Sequence, residues 1–198
     1  MVKAILAGRK TQTRRLVKPQ PHPDFPINCI RCDWYSPIVI RSGEETPGPE
    51  VFGFASEDEG WPCPYGAPGN RLWVRETFQF VHANSDGQRQ TFASHVQFTQ
   101  HDYRWIEYAA TPKDNEPPPK WKPSIFMPRW ASRITLEITG IRVERLKDIS
   151  NEDCFAEGLP AETTKGNRTW YGDLWEEING KGSWDANPWV WCLTFRKI

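Results

Sequence analysis

The segment from Ser132 to Leu146, SRITLEITGIRVERL, has the longest β-strand signal in the chain. Its apolar residues Ile134, Leu136 and Ile138 alternate with polar ones, which is the period of a strand with one buried face. Gly140 interrupts the pattern and indicates a bulge or bend. We therefore predict that this segment forms a central strand.

Shorter signals for strands and helices lie on both sides of this segment. Strands are predicted at Thr11–Val17, Pro37–Arg41, Val51–Phe54, Arg71–Phe80, Thr91–Phe98, Asp102–Ala110 and Pro188–Lys197. Helices are predicted at Val2–Ala7 before Gly8, from a capping box at Ser150 and Asp153 to about Glu157 before Gly158, and at roughly Tyr171–Ile178. Closely spaced prolines between Lys18 and Pro37 favour an extended loop.

A cationic motif, GRKTQTRR from Gly8 to Arg15, follows the first predicted helix. It contains four cationic side chains and two hydroxyls, and the first acid in the chain, Asp24, comes only after it. One interpretation is a solvated basic turn that leads into an edge strand. The other is a site for an anion or a polar ring.

Gly8, Lys10, Thr13 and Arg15 resemble the G-x-K-x-x-E-x-R signature of the ASCH domain, a branch of the PUA-like barrels. Thr13 replaces the glutamate, as in the small ASCH amidohydrolases. The segment PGNRLWVRET from Pro68, the run from Lys120 to Ser150 and the later WDANPWVW look like prophage-encoded ASCH proteins. The resemblance covers most of the chain except roughly 20–65 and 80–118.

The resemblance implies an α+β fold, namely a PUA-like (ASCH) β-barrel with short flanking helices. It predicts a single domain over residues 1–198, with a long loop and hairpin region inserted at about 18–66 and 80–122. The ligand cleft is expected between the 8–15 motif, the strand at 71–80 and the helix that ends at Glu157. Since ASCH proteins have a strand before the first helix, either that strand is missing from this sequence or the barrel closes differently.

The resemblance also implies catalytic residues. In the ASCH amidohydrolases that remove the acyl group of N4-acetylcytidine, the catalytic positions match Lys10, Thr13 and Glu157. A lysine of lowered pKa could take the proton of the threonine nucleophile, while Glu157 protonates or orients the departing amine and Arg15 or a backbone amide stabilises the oxyanion. Alternatively, Glu157 pairs with Lys10 or Arg15, which keeps the lysine charged and favours binding over catalysis.

Substrate-binding residues are expected on both sides of the cleft, and we assign this role to Gly8, Arg9, Arg14, Arg15, Arg75, Glu76 and Trp121. An ion pair across strands is the alternative for Arg75 and Glu76. Trp130 is expected in the core. The resemblance implies that the partner is a nucleobase, a nucleoside or RNA.

Two other classes of function compete with the hydrolase. One is a non-catalytic RNA-binding regulatory protein, or a ribonuclease, of phage origin, with Arg9, Arg14 and Arg15 on phosphates. The other is an interaction protein that uses the inserted hairpin as its partner surface. A formal net charge of zero excludes a general polyanion binder but allows a local basic patch.

The cysteines give a weak metal signal. Cys29 and Cys32 form a C-x-x-C pair, and Cys63 with His22 or His82 could complete a zinc site. Unliganded thiols are the favoured interpretation because there is no second C-x-x-C, so we predict no metal and no cofactor. No apolar run approaches the roughly 20 residues of a membrane span, and an odd number of cysteines favours reduced thiols; a cytoplasmic protein without membrane contact is expected.

Overall fold

The computed structural model describes residues 1–22, 31–41, 44–56, 59–83, 89–91, 105–111, 120–160, 162–164 and 166–198. The helices of this part are α1 (Val2–Leu6), α2 (Asn151–Ala156) and α3 (Asn167–Asn179). Its strands are β1 (Gln12–Leu16), β2 (Asp33–Tyr35), β3 (Ile38–Arg41), β4 (Glu44–Pro47), β5 (Val51–Ala55), β6 (Gly60–Pro62), β7 (Arg71–Trp73), β8 (Phe78–Ala83), β9 (Arg89–Thr91), β10 (Trp105–Tyr108), β11 (Thr135–Arg145) and β12 (Trp189–Lys197). Strands therefore dominate, and the predicted α+β class is confirmed.

The chain divides into two compact units. The first unit contains residue 1 and residues 3–72 and 137–197, and the second contains residue 2, residues 73–136 and residue 198. The single domain with insertions at about 18–66 and 80–122 stays a prediction.

The main sheet has the strand order β1-β12-β11-β7 and curls into a half-barrel. β1 runs antiparallel to β12, and Arg14 lies opposite Cys192. β11, at 11 residues, has a neighbour on each side. The interior position predicted for this strand is confirmed, whereas a PUA-like barrel remains a proposal.

Two apolar clusters stabilise the first unit. In one, Trp189 and Trp191 of β12 pack with Phe54, whose ring stacks on Trp61 at 5.0 Å between centroids. In the other, Tyr171 and Trp175 of α3 pack with Leu146, Ile149, Cys154 and Val190. Much of the tryptophan in this unit thus forms core, and α3 is fixed through its aromatic face.

Capping residues and glycines close to the helix ends determine where the helices begin and end. α1 gives way to Gly8 at φ +71°, and α2 begins at a capping box in which Ser150 and Asp153 bond each other's backbone N–H. α2 is followed by Gly158 at φ +95°, a conformation that favours glycine. These helix boundaries are confirmed to within one or two residues.

The second unit contains the sheet β10-β8-β9 and a core of Phe78, Phe80, Met127 and Ala131. Trp130 was expected in the core, but it is 40% exposed. Its ring stacks on Phe80 at 5.5 Å, while its neighbour Ala131 takes the buried position in a short 3-10 helix. The expectation for Trp130 is therefore wrong.

Tertiary pairing corrects one predicted strand and one predicted loop. The strand predicted over Arg71–Phe80 is two strands, because Glu76 turns into the protein to meet Arg133 and the chain then resumes in another sheet as β8. β2 lies within the segment predicted to be a loop, because β5 supplies a partner for it. Of the predicted insertion hairpin, β10 confirms part of the second strand; residues 92–98 lie outside the described residues.

Candidate functional site

A cavity of about 750 Å³ lies in the first unit. It is lined by the α1–β1 turn, by β1, by the end of α2, by Tyr65 and by one face of α3. Lys10, Thr13 and Glu157 all line it. Residues far apart along the chain therefore meet at one concave surface.

The position of Lys10 follows from the turn after α1. With Gly8 in its left-handed conformation, the Lys10 backbone N–H donates to the carbonyl of Ala4 at 3.1 Å, so Lys10 precedes β1. Thr13 lies within β1 and pairs with Leu193. Lys10 therefore does not follow the alternation of β1, and it lines the same cavity as Thr13.

Lys10 and Glu157 form a buried pair. The Lys10 ammonium donates to the Glu157 carboxylate at 2.6 Å and to the Glu157 backbone carbonyl at 2.9 Å. Burial lowers the pKa of Lys10, and although Glu157 raises it, the net pKa lies below 10.5. Burial outweighs Glu157 because Arg14 and Arg15 also disfavour the charged lysine.

Arg14 is buried and fully occupied by other side chains. Its Nε–H donates to Glu144 at 3.0 Å, and one terminal nitrogen donates to Gln12 at 2.7 Å and to Glu157 at 3.3 Å. The other terminal nitrogen donates to Glu144 and, at 2.8 Å, to Asp153. All five guanidinium donors have partners, so Arg14 positions acids and has no N–H left for a phosphate. Arg14 also lines the cavity, and its role in substrate binding stays a prediction.

The surrounding charges form a closed set that we call the ion network, comprising Lys10, Arg14, Arg142, Glu144, Asp153 and Glu157. Arg142 donates to Glu144 and to Asp153, each at 2.9 Å. The network holds three positive and three negative side chains, so it is neutral as a whole. It connects β1, β11 and α2, and thereby fixes the Glu157 carboxylate.

Tyr171 adds a phenol to the same carboxylate. Its hydroxyl donates to Glu157 at 3.4 Å, and the Arg14 guanidinium lies 5.8 Å from its ring centroid. Burial raises the pKa of Tyr171, and Glu157 raises it further. Tyr171 therefore remains a hydrogen-bond donor at neutral pH.

The apolar wall of the cavity comes from α3, through Trp170, Tyr171, Leu174 and Trp175. The sequence predicted a helix at roughly Tyr171–Ile178 but did not place it at the site. A period of three to four between Tyr171, Leu174, Trp175 and Ile178 was the available signal. It could not indicate that the face borders a cavity as well as a core.

Four exposed cations also line the cavity, and we call Lys3, Arg9, Arg15 and Lys18 the rim cations. Gly8 is exposed but is not among the lining residues. Arg9 and Arg15 thus lie where the sequence predicted a binding role, whereas Gly8 acts through the turn.

Arg75, Glu76 and Trp121 belong to the second unit and are not among the residues that line the cavity. Glu76 is buried and accepts two hydrogen bonds from Arg133, at 3.0 and 2.9 Å. Arg75 stacks on Trp73, with 4.8 Å from the guanidinium to the ring centroid. The alternative of an ion pair therefore fits Glu76, although its partner is Arg133.

The thiols proposed for zinc do not form a metal site in the described part of the chain. Cys29 lies outside the described residues, while Cys32 and Cys63 pack at the tryptophan-rich core of the first unit. Burial raises the pKa of Cys63, and raises that of Cys32 to about 12, although zinc binds the thiolate. Over the described residues, no three His, Cys, Asp or Glu side chains are grouped as metal ligands.

Within the part of the chain that the structure describes, no helix has both the length and the apolar character needed to cross a bilayer. None of the protein-family models, curated proteins or solved structures compared with this chain matches it, so kinship with the ASCH family rests on the sequence motifs and is a proposal.

Proposed function

We propose that the cavity binds a nucleoside and hydrolyses the amide of N4-acylated cytidine, as do the ASCH amidohydrolases that the chain resembles. The observation behind this proposal is that Lys10, Thr13 and Glu157 line one cavity. They supply a base, a nucleophile and an acid to the same space.

The aromatic residues of α3 give the base a surface on which to stack. Trp170 and Tyr171 line the cavity beside Glu157, and stacking on an aromatic side chain stabilises a bound base by about 1–3 kcal/mol. A stacked cytosine directs its exocyclic N4 towards polar groups at its edge. The ion network supplies such groups.

In the acylation step, Glu157 first holds the proton of the Lys10 ammonium, which crosses the 2.6 Å hydrogen bond between them. Neutral Lys10 takes the Thr13 hydroxyl proton as the Thr13 oxygen bonds the acyl carbon. Arg15 or a backbone amide stabilises the oxyanion. The C–N4 bond then breaks, N4 takes the proton from Glu157, and cytidine leaves.

In the deacylation step, the Glu157 carboxylate takes a proton from water, and the hydroxide oxygen bonds the acyl carbon. The bond from that carbon to the Thr13 oxygen breaks, and this oxygen regains its proton from the Lys10 ammonium. The products are cytidine and a carboxylic acid. Lys10 is then neutral and Glu157 protonated, and return of this proton to Lys10 across their hydrogen bond restores the starting ion pair.

Incubation with N4-acetylcytidine and detection of cytidine tests the proposal. Thr13→Ala should lower kcat by about 100-fold or more, whereas Thr13→Ser should keep part of the activity. Thr11→Ala is the matched control, because Thr11 is exposed and does not line the cavity. No turnover by the wild type, or full turnover by Thr13→Ala, refutes the proposed mechanism.

A second candidate is a non-catalytic RNA-binding regulatory protein of phage origin. The observation that favours it is the exposure of the rim cations, together with a lysine that is held by a carboxylate. This function predicts RNA affinity that falls with salt and with Arg9→Ala or Arg15→Ala. It also predicts that Thr13→Ala binds RNA as the wild type does and that N4-acetylcytidine is not turned over.

A further inference from the structure

The cavity is far more cationic than the chain as a whole. Its lining contains six cationic side chains, namely Lys3, Arg9, Lys10, Arg14, Arg15 and Lys18, and one acid, Glu157. The whole sequence has 25 cationic and 25 acidic residues. Positive charge is therefore concentrated at this one place.

The ion network accounts for only two of those six cations. Lys10 and Arg14 are neutralised within it, which leaves the four rim cations. None of these four forms an ion pair within the described ranges of the chain. Two exposed cations elsewhere do form ion pairs: Arg31 meets Asp33 at 3.4 Å and Arg196 meets Glu137 at 3.0 Å.

The excess charge affects the neighbouring titratable groups. Burial lowers the pKa of the Met1 amine, and Lys10 and Arg9 lower it further. Burial also lowers the pKa of Lys10, and Arg15 adds to this effect. Both groups lose their positive charge more readily, mainly because they are buried and in addition because other positive charges lie nearby.

A neutral nucleoside has no negative group that could pair with the rim cations. We propose that the ligand of this cavity is a phosphorylated cytidine derivative, whose base enters between α3 and the ion network and whose phosphate is bound by the rim cations. This inference rests on the proposed function and names its substrate class. Arg9 and Arg15 are the main phosphate ligands, because a guanidinium matches the geometry of phosphate oxygens.

The phosphate could belong to a mononucleotide or to a nucleotide within RNA, and both present the same group to the rim. The test therefore compares kcat/KM for N4-acetylcytidine, for its 5′-monophosphate and for a short RNA that contains one N4-acetylcytidine. A preference for the monophosphate identifies a mononucleotide site. A further gain with the oligonucleotide identifies RNA.

We expect kcat/KM to be about tenfold or more higher for a phosphorylated substrate at about 50 mM salt, and the ratio to shrink at about 300 mM. Arg9→Ala and Arg15→Ala should each lower the ratio of phosphorylated to unphosphorylated substrate by about threefold or more. Lys181→Ala removes an exposed cation that does not line the cavity, and its ratio should equal that of the wild type. Equal kcat/KM for nucleoside and nucleotide overturns the inference.

A binding measurement separates this inference from the proposed function. If no acylated compound is hydrolysed, the amidohydrolase proposal fails, and the affinities of the wild type for cytidine and for cytidine 5′-monophosphate are compared by calorimetry. A tenfold preference for the monophosphate that Arg9→Ala removes supports the phosphate site on its own. Equal affinities, or no binding of either compound, overturn it.

Discussion

At the scale of single residues, the protonation of Lys10 depends on opposing influences. Burial, Arg14 and Arg15 favour the neutral amine, whereas the carboxylate of Glu157 favours the ammonium. A general base must be neutral at the working pH. The rim therefore influences the chemistry as well as the binding of an anion.

Arg15→Gln should move the basic limb of the pH–rate profile towards higher pH. Removal of a neighbouring cation raises the pKa of Lys10, so the Lys10–Glu157 pair keeps the proton that N4 receives up to a higher pH. The midpoint for kcat is the quantity to measure. Arg15→Lys keeps the charge and should leave the midpoint in place, and an unchanged midpoint in Arg15→Gln would contradict this role for Arg15.

Arg14 illustrates what the residues alone could and could not predict. The alternation of β1 correctly places Thr13 and Arg14 on opposite faces. Both faces carry polar side chains, so the pattern did not identify the buried one. The acids that bury Arg14 are Glu144 and Asp153, which lie at least 130 positions away in the sequence. Ion pairs between residues so far apart in the sequence leave no signal in the local sequence pattern.

At the scale of elements, the end of α2 determines the geometry of the site. Gly158 has φ +95°, and a Cβ there would lie 3.2 Å from Lys10 Cβ and 3.1 Å from Ala4 Cβ. The glycine therefore lets α2 approach the α1–β1 turn. This approach places the Glu157 carboxylate and backbone carbonyl on the Lys10 ammonium.

Gly158→Ala should lower both stability and activity. Its backbone strain costs on the order of 1–3 kcal/mol, and the new methyl displaces Lys10 from Glu157. Gly180→Ala is a matched control, because Gly180 has φ +97° with nothing within 4 Å of its would-be Cβ. Urea unfolding should show a lower free energy of unfolding for both variants, whereas kcat for N4-acetylcytidine should fall only in Gly158→Ala. Equal kcat values for the two variants would show that activity does not depend on the close approach of α2 to the α1–β1 turn.

Elements that depend on short-range chemistry were predictable. The capping box at Ser150 and the stop at Gly158 concern residues within one turn, so their sequence signal is complete. The break between β7 and β8 was not predictable, because the alternation continues through Glu76 and only the distant Arg133 explains why the chain leaves the sheet. None of residues 71–80 lines the cavity, although the strand predicted there was expected at the cleft.

At the scale of the whole molecule, zero net charge coexists with strong local charge. The ion network balances its charges inside the first unit, while the rim cations are unbalanced around the cavity. From the amino-acid composition one could exclude only a strong electrostatic potential over the whole molecule. The placement of charge came from tertiary structure, and so did the division into two units, which no linker-like segment indicates at residues 73 or 136.

The ion network should make the stability of the protein sensitive to acid. Burial alone would raise the pKa of Asp153, but Arg14 and Arg142 outweigh it and hold that pKa below 3.8. Between the folded and unfolded values the unfolded chain binds more protons, so stability rises with pH in that window. The contribution is complete above about pH 4 and is lost as the pH falls through the folded pKa of Asp153.

The free energy of unfolding in urea, measured from pH 6 down to about pH 2, should therefore decline more steeply for the wild type than for Arg142→Ala. That variant removes one of the two cations that lower the pKa of Asp153 while Arg14 keeps the site paired. Arg196→Ala breaks an exposed pair with Glu137 and should retain the wild-type slope. If Arg142→Ala also retained it, Arg142 would not contribute to the acid dependence of stability, and the lowered pKa of Asp153 would have to come from Arg14 alone.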